Sequence, residues 1–157
     1  MKIESWQQLI GEIAEALAMR LDEGCFYLNL TEQEVGLHIP TAYSGEEYDW
    51  PHNGDMVMRI EPLASYEYYG AMEEFADMQS RVIADKLHRV LNGRHPFARF
   101  KEAVAALNLL DEWYAFENKW YAQKAEEWLQ EEGVSCIDGK IVCTRDSIIW
   151  EADEDDY

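Results

Sequence analysis

Positive charge is what this chain has least of. Thirteen Lys and Arg stand against 32 Asp and Glu, a formal net charge of -19 at pH 7 over 157 residues. A surface of that sign repels nucleic acid and anionic membrane at long range and attracts basic partners, so neither nucleic acid nor membrane is an expected partner. Long apolar runs are missing as well. No stretch approaches the ~20 apolar residues of a spanning helix. The opening MKIESWQQLIGEIAEAL carries glutamates inside its first apolar stretch and no small-residue cleavage site, unlike a signal peptide or anchor. The expectation is a soluble, cytoplasmic protein. Cysteine is scarce: Cys25, Cys136 and Cys143 form an odd set without CxxC spacing, which argues against a disulfide framework and a zinc site. If residues 134–144 form a hairpin turning at Asp138-Gly139, Ile141 faces Cys136, and Cys143 is only its diagonal neighbour.

Signatures of catalysis are lacking too. There is no GxSxG elbow, GxGxxG turn, Walker lysine loop or HExxH ligand pair. With 32 carboxylates, chance alone supplies many acid pairs, so such a pair is not diagnostic. The loop TAYSGEEYDWPHNGD offers Glu46, Glu47, Asp49, His52 and Asp55. Read as a calcium loop from Asp49, it puts Pro51 and Ile60 where oxygen ligands are required, so it reads as a solvated acidic loop, with a looser oxygen-and-imidazole metal site as the lesser reading. No metal, cofactor or catalytic residue is nominated. Whether the protein is an enzyme stays open, because catalytic sets assemble in space, but the reading favours a non-catalytic protein.

What is present suits one domain over residues 1–150, followed by an acidic tail over 151–157, EADEDDY. The hydrophobic share of 48% and aromatic share of 13% are ample for a core. Trp6, Leu9, Ile10, Ile13, Leu17 and Leu21 recur at helical intervals after Ser5, and Gly24 follows. CFYLNLTEQEVGLHIP alternates on either side of Thr31–Glu34 as a hairpin does, and a third strand is expected over Met56–Glu61. Four helical segments follow from Ser65 to Glu132: one holding Tyr68, Met72 and Phe75; one ending at Asn92-Gly93; one opening at Pro96; and LLDEWYAFENKWYAQKAEEWLQEEG, ending at Gly133. The fold class is α+β and mainly helical. An N-terminal helix and a short antiparallel sheet are expected to pack against the four-helix segment, with a C-terminal hairpin after it.

FYLNLTEQEVG, RIEPLASYEYYGAMEEFA, LNGRHPFARFKEAVAAL and EWYAFENKWYAQKAEEWLQEEG, in that order, resemble a bacterial family, the uncharacterised protein family 0158 of the UPF series. The resemblance covers about residues 25–134. Its most specific parts are Phe97, Arg99, Phe100 and Lys101, and the spacing from Trp113 through Phe116 and Glu117 to Trp128-Leu129. It implies a small bacterial protein of mixed helix and strand, and carries over no activity, cofactor or catalytic residue.

The charge is unevenly spread. Residues 1–78 hold 3 basic and 16 acidic side chains, residues 79–110 hold 6 and 2, and residues 111–157 hold 4 and 14. A positive island, KLHRVLNGRHPFARFK, therefore sits between two negative flanks. In the last helix, apolar and aromatic residues spread over an arc of about 220°, twice an ordinary amphipathic stripe, with Glu117 inside it. A buried carboxylate shifts its pKa upward or finds a partner, and Arg99 or Lys101 is the expected partner. Arg94, Arg99, Lys101 and Glu117 thus form a candidate ion-pair or ligand cluster. So wide an arc must be covered on more than one side, as in a helix that runs through the centre of the fold and touches several neighbours; the second reading leaves one flank exposed, with Trp113, Trp120, Tyr121 and Trp128 as a candidate interface or self-association surface. Two other readings of the island are an anion receptor near the helix opened by Pro96 and a helix-turn-helix DNA reader, which the flanking charge opposes. The expected function is a protein-binding or regulatory module whose acidic faces meet a basic partner, with homo-oligomerisation open. The alternative is a small enzyme or anionic-ligand sensor using the Arg94, Arg99, Lys101 and Glu117 cluster as its pocket. Acidic mimicry of nucleic acid is a third idea.

Overall fold

Ser5 starts the first helix as expected: its Oγ accepts the amide of Gln8 at 3.1 Å, satisfying one of the orphan donors of the first turn. The computed structural model describes residues 2–39 and 50–151. Helix α1 (Trp6–Ala18) buries Leu9, Ile10, Ile13 and Leu17. It ends a turn short of Leu21, because Met19 is already extended. Leu21 lines a cavity with Gly24, Cys25 and Phe26, so its apolar position reports burial rather than helix. Strands β1 (Cys25–Asn29) and β2 (Glu34–His38) form the expected hairpin, and β3 (Met56–Ile60) pairs with the other edge of β1.

The remaining elements are α2 (Ser65–Asp77), α3 (Arg81–Leu91), α4 (Pro96–Ala106), α5 (Leu110–Glu131), β4 (Val134–Ile137), β5 (Lys140–Cys143) and β6 (Ile148–Ile149). This is the mixed α+β order read from the sequence, with one addition. The two-residue β6 adds to β3 and gives a four-stranded sheet ordered β2-β1-β3-β6. Two residues are too few to show an alternating pattern. In the terminal hairpin, Cys136 stands opposite Ile141 and Cys143 opposite Val134, the register expected, and all three cysteines are free thiols.

By its own contacts the chain divides into two units, Met1–Pro62 with Ala122–Tyr157, and Leu63–Tyr121. In the first, α1 packs on β2 and β3, and Leu28, Met58 and Ile60 of the sheet are buried. Gly36 lets Trp50 lie on β2: a Cβ there would fall 2.7 Å from the indole, a close approach that only glycine allows in a strand. The Trp50 indole N–H donates to Glu34 Oε1 at 2.6 Å. Across the hairpins, Gln33 donates to the Ile141 carbonyl (2.9 Å) and accepts the Ile141 amide (2.7 Å). The acidic loop partly escapes description, since Glu46, Glu47 and Asp49 lie outside the described residues, as do residues 152–157 of the acidic tail.

The second unit is helical. Glu67 reaches back to the Ala64 amide at 3.1 Å, closing the start of α2. Asn108 ends α4 in the left-handed region at φ 59, with the Leu109 amide donating to Val104 (2.9 Å) and the Asn108 amide to Ala105 (3.1 Å). These are the two bonds of a Schellman cap with asparagine at C′. Phe75, Phe100 and Trp113 meet edge to face, with ring centroids 5.3 Å apart for Phe75–Trp113 and 5.1 Å for Phe100–Trp113. That geometry adds attraction beyond the area buried. Met72, Leu87, Leu91 and Val104 complete this core. No helix among the described residues is long and apolar enough to cross a membrane.

Candidate functional site

The wide aromatic arc of α5 is explained by what covers it. Trp113 is 1% exposed and Trp120 9%, so these two are core rather than free interface; Tyr121 and Trp128 are half-buried. Tyr114, at 41%, is the large aromatic side chain of α5 that faces solvent. Tyr68 of α2 inserts among these rings, with centroids 6.1 Å from Trp113, 6.3 Å from Trp120 and 6.1 Å from Tyr121.

Glu117 takes its hydrogen bond from Tyr68, whose hydroxyl donates to Oε2. Burial, then this bond and the carboxylate's charge, push the Tyr68 pKa upward. Burial first and the Glu117 charge second push Tyr121 up to about 12. The ion pair expected of Glu117 with Arg99 or Lys101 is therefore replaced by a neutral donor. A tyrosine hydroxyl reaches the carboxylate from inside the aromatic cluster without the desolvation penalty that a guanidinium or ammonium would incur there.

The positive island turns outward. Arg81, Lys86, Arg89, Arg94, Arg99 and Lys101, all six cations of residues 79–110, are exposed. Lys101 places its ammonium 5.9 Å from the Tyr114 ring centroid, a cation–π contact at the surface. His88 and Asp77 meet at 2.6 Å. Arg94, Arg99 and Lys101 are thus exposed, and none of them pairs with the Glu117 carboxylate. The cavity between α3 and α4 is lined by Lys86, Arg89, Val90, Ala103, Ala106 and Leu107, and by none of the four residues nominated as a pocket. Lys86 and Arg89 belong to the same basic run. Only the crossing of α3 over α4 singles them out, and no spacing in the sequence reports that crossing.

The first unit holds an acidic and polar cluster. One ligand-type atom each from Glu32, His52 and Asp55 lies within 4.8 Å of the others, and His52 Nδ1 is 3.6 Å from both Glu32 Oε1 and Asp55 Oδ2. Asp55 is 6% exposed, and its Oδ2 accepts from Asn29 Nδ2 at 2.8 Å and from the His52 amide at 2.9 Å. The Glu32 amide in turn donates to Asn29 Oδ1 at 2.9 Å. A metal at Oδ2 would compete with two donors, so the arrangement works as it stands as a clamp holding the turn after β1 against the entry to β3. His52 and Asp55 were visible in the acidic loop; Asn29 and Glu32, on the far side of a strand pairing, were not.

No curated protein and no solved structure matches this chain. The model of Uncharacterised protein family (UPF0158) matches residues 6–141, a span that takes in α1 and the start of β5 and so exceeds the resemblance read over 25–134. With most of its length inside that match, the chain belongs to Uncharacterised protein family (UPF0158).

Proposed function

We propose that the protein is a non-catalytic binding module that works through contacts with other proteins, its acidic surface meeting a partner with a basic face. The observation that supports this reading is that charge of both signs, separated along the chain, stands exposed. The six cations of residues 79–110 are all exposed, and so are acids of the flanking segments, such as Glu15, Glu73, Glu74, Glu126 and Glu131. Separated surface potentials of opposite sign steer encounter and fix register more than they add affinity. The alternative, an enzyme or sensor with Arg94, Arg99, Lys101 and Glu117 in its pocket, has less support: among the described residues none of the four lines the α3–α4 cavity, and Glu117 is bonded to Tyr68. Self-association through α5 loses two of its three tryptophans, because Trp113 and Trp120 are core. A single-domain organisation over residues 1–150 remains part of this proposal.

The test is chemical crosslinking in the native host, identification of the captured protein by mass spectrometry, and measurement of its affinity against ionic strength. A basic partner whose binding weakens steeply with added salt supports the reading. Salt-indifferent binding, or a partner that engages an apolar surface alone, overturns it.

A further inference from the structure

The cavity between α3 and α4 has a volume of about 360 Å3. Lys86, Arg89 and Val90 line it from α3, and Ala103, Ala106 and Leu107 line it from α4. Each set is spaced i, i+3, i+4, so each helix contributes one continuous stripe. The two alanines make the depression, since a longer side chain at either position would fill it. Both cations stand on the α3 side, exposed, and neither forms an ion pair with a described residue. The segment's two acids, Asp85 and Glu102, are not among the lining residues. The result is a groove with an apolar floor and a positive rim along one edge, on a chain of net charge -19.

We propose that this groove docks an acidic amphipathic helix from another protein. The floor calls for an apolar stripe, and the one-sided rim calls for carboxylates along a single flank of that stripe. Helix-in-groove recognition uses anchors at i, i+3 or i+4, and i+7. Phosphates could use Lys86 and Arg89, but nucleic acid would leave the apolar floor uncovered, and a basic segment would meet like charge at the rim. The negative remainder of the surface repels acidic proteins in general. Only a segment that delivers its acids to this rim gains, which makes the contact selective. This surface is opposite in sign to the one in the proposed function, so either can fail while the other stands.

The test is selection of a displayed library of helical peptides on the full chain, followed by affinity measurements on the enriched peptides. The expected winners carry an apolar i, i+3/i+4, i+7 stripe bordered on one side by Asp or Glu. Their affinity should fall about tenfold for Lys86→Glu/Arg89→Glu and recover when the peptide's acids are changed to Lys. Binding should be lost on filling the groove with Ala106→Trp, the variants keeping the parent's thermal unfolding profile. Failure to enrich any peptide, enrichment of basic peptides, or equal binding to the charge-reversed variant overturns the proposal. A labelled DNA duplex that binds the parent but not the Lys86→Glu/Arg89→Glu variant, with no peptide enriched, would assign the rim to nucleic acid instead.

Discussion

The Tyr68 hydroxyl donates to the Glu117 carboxylate, joining two helices through residues 49 positions apart in the chain. Removing the donor with Tyr68→Phe should lower the unfolding free energy by about 1–2 kcal/mol, the scale of a hydrogen bond to a charged acceptor. Glu117→Gln should cost less than about 1 kcal/mol, because its amide oxygen still accepts. Arg99→Ala and Lys101→Ala should each change stability by less than about 0.5 kcal/mol. Denaturant unfolding measures all four. Losses of several kcal/mol for Glu117→Gln, matched by Arg99→Ala, would mean that an ion pair holds the carboxylate after all.

Alkaline pH should destabilise the fold. Tyr121 is held at about 12, by burial first and by the Glu117 charge second, and Tyr27 is also pushed up to about 12, by burial first and by Cys25 second. An unfolded tyrosine loses its proton near pH 10. Above that value the unfolded chain binds fewer protons than the folded one, so stability present below pH 10 declines as pH rises toward 12. Unfolding free energy measured from pH 8 to 11 should be level and then fall, and Tyr121→Phe should make the fall shallower. An unchanged slope in the variant would show that Tyr121 titrates normally.

Glu12 should be a liability at neutral pH. Its Oε2 is buried without a hydrogen-bond partner among the described residues, and burial raises its pKa, opposed by the charge of the N-terminal amine and reinforced by those of Glu15 and Glu34. For a carboxyl raised in the folded state, stability is greatest below the unfolded pKa and declines as pH rises through the raised value. Glu12→Gln should therefore increase stability at pH 7 by a few tenths of a kcal/mol and leave it unchanged at pH 3. A loss at pH 7 would reveal a favourable partner for the charge.

Asp55 should matter more than its neighbours in the acidic cluster. Asp55→Ala strands the Asn29 amide and the His52 backbone N–H, and should cost about 2–4 kcal/mol. His52→Ala and Glu32→Ala remove only part-exposed side chains and should cost less than about 1 kcal/mol each. Thermal unfolding ranks the three. Equal losses would mean that they act as one coordinated set instead of a clamp centred on Asp55.

Gly133 is a position where backbone and space agree. Its φ is +74, and a Cβ would lie 2.7 Å from Thr144 Oγ1. Gly133→Ala should lower the unfolding free energy by about 1–2 kcal/mol, read by denaturant titration. A neutral result would mean that the turn into β4 relaxes at no cost.

Elements set by neighbours in sequence were legible from the letters: Ser5 opening α1, the strands either side of Thr31–Glu34, Pro96 opening α4, and Gly133 closing α5. In each case the deciding interactions act within a few residues, where cap chemistry and side-chain period are strong signals. The positive island was equally legible as a charge excess. Its direction was not. Whether Arg99 and Lys101 face Glu117 or water depends on which helix crosses which, and Tyr68, far upstream, takes the place the sequence reading assigned to a cation. The width of the aromatic arc already favours a covered helix over an interface, but which rings enclose Trp113, namely Phe75 and Phe100, is decided in space. The same holds for Asn29 beside Asp55, for β6 beside β3, and for the groove between α3 and α4. Composition and local pattern determine what each segment can become, and only tertiary contact decides which polar group meets which, because hydrogen bonds and packing are short-ranged in space and blind to distance along the chain.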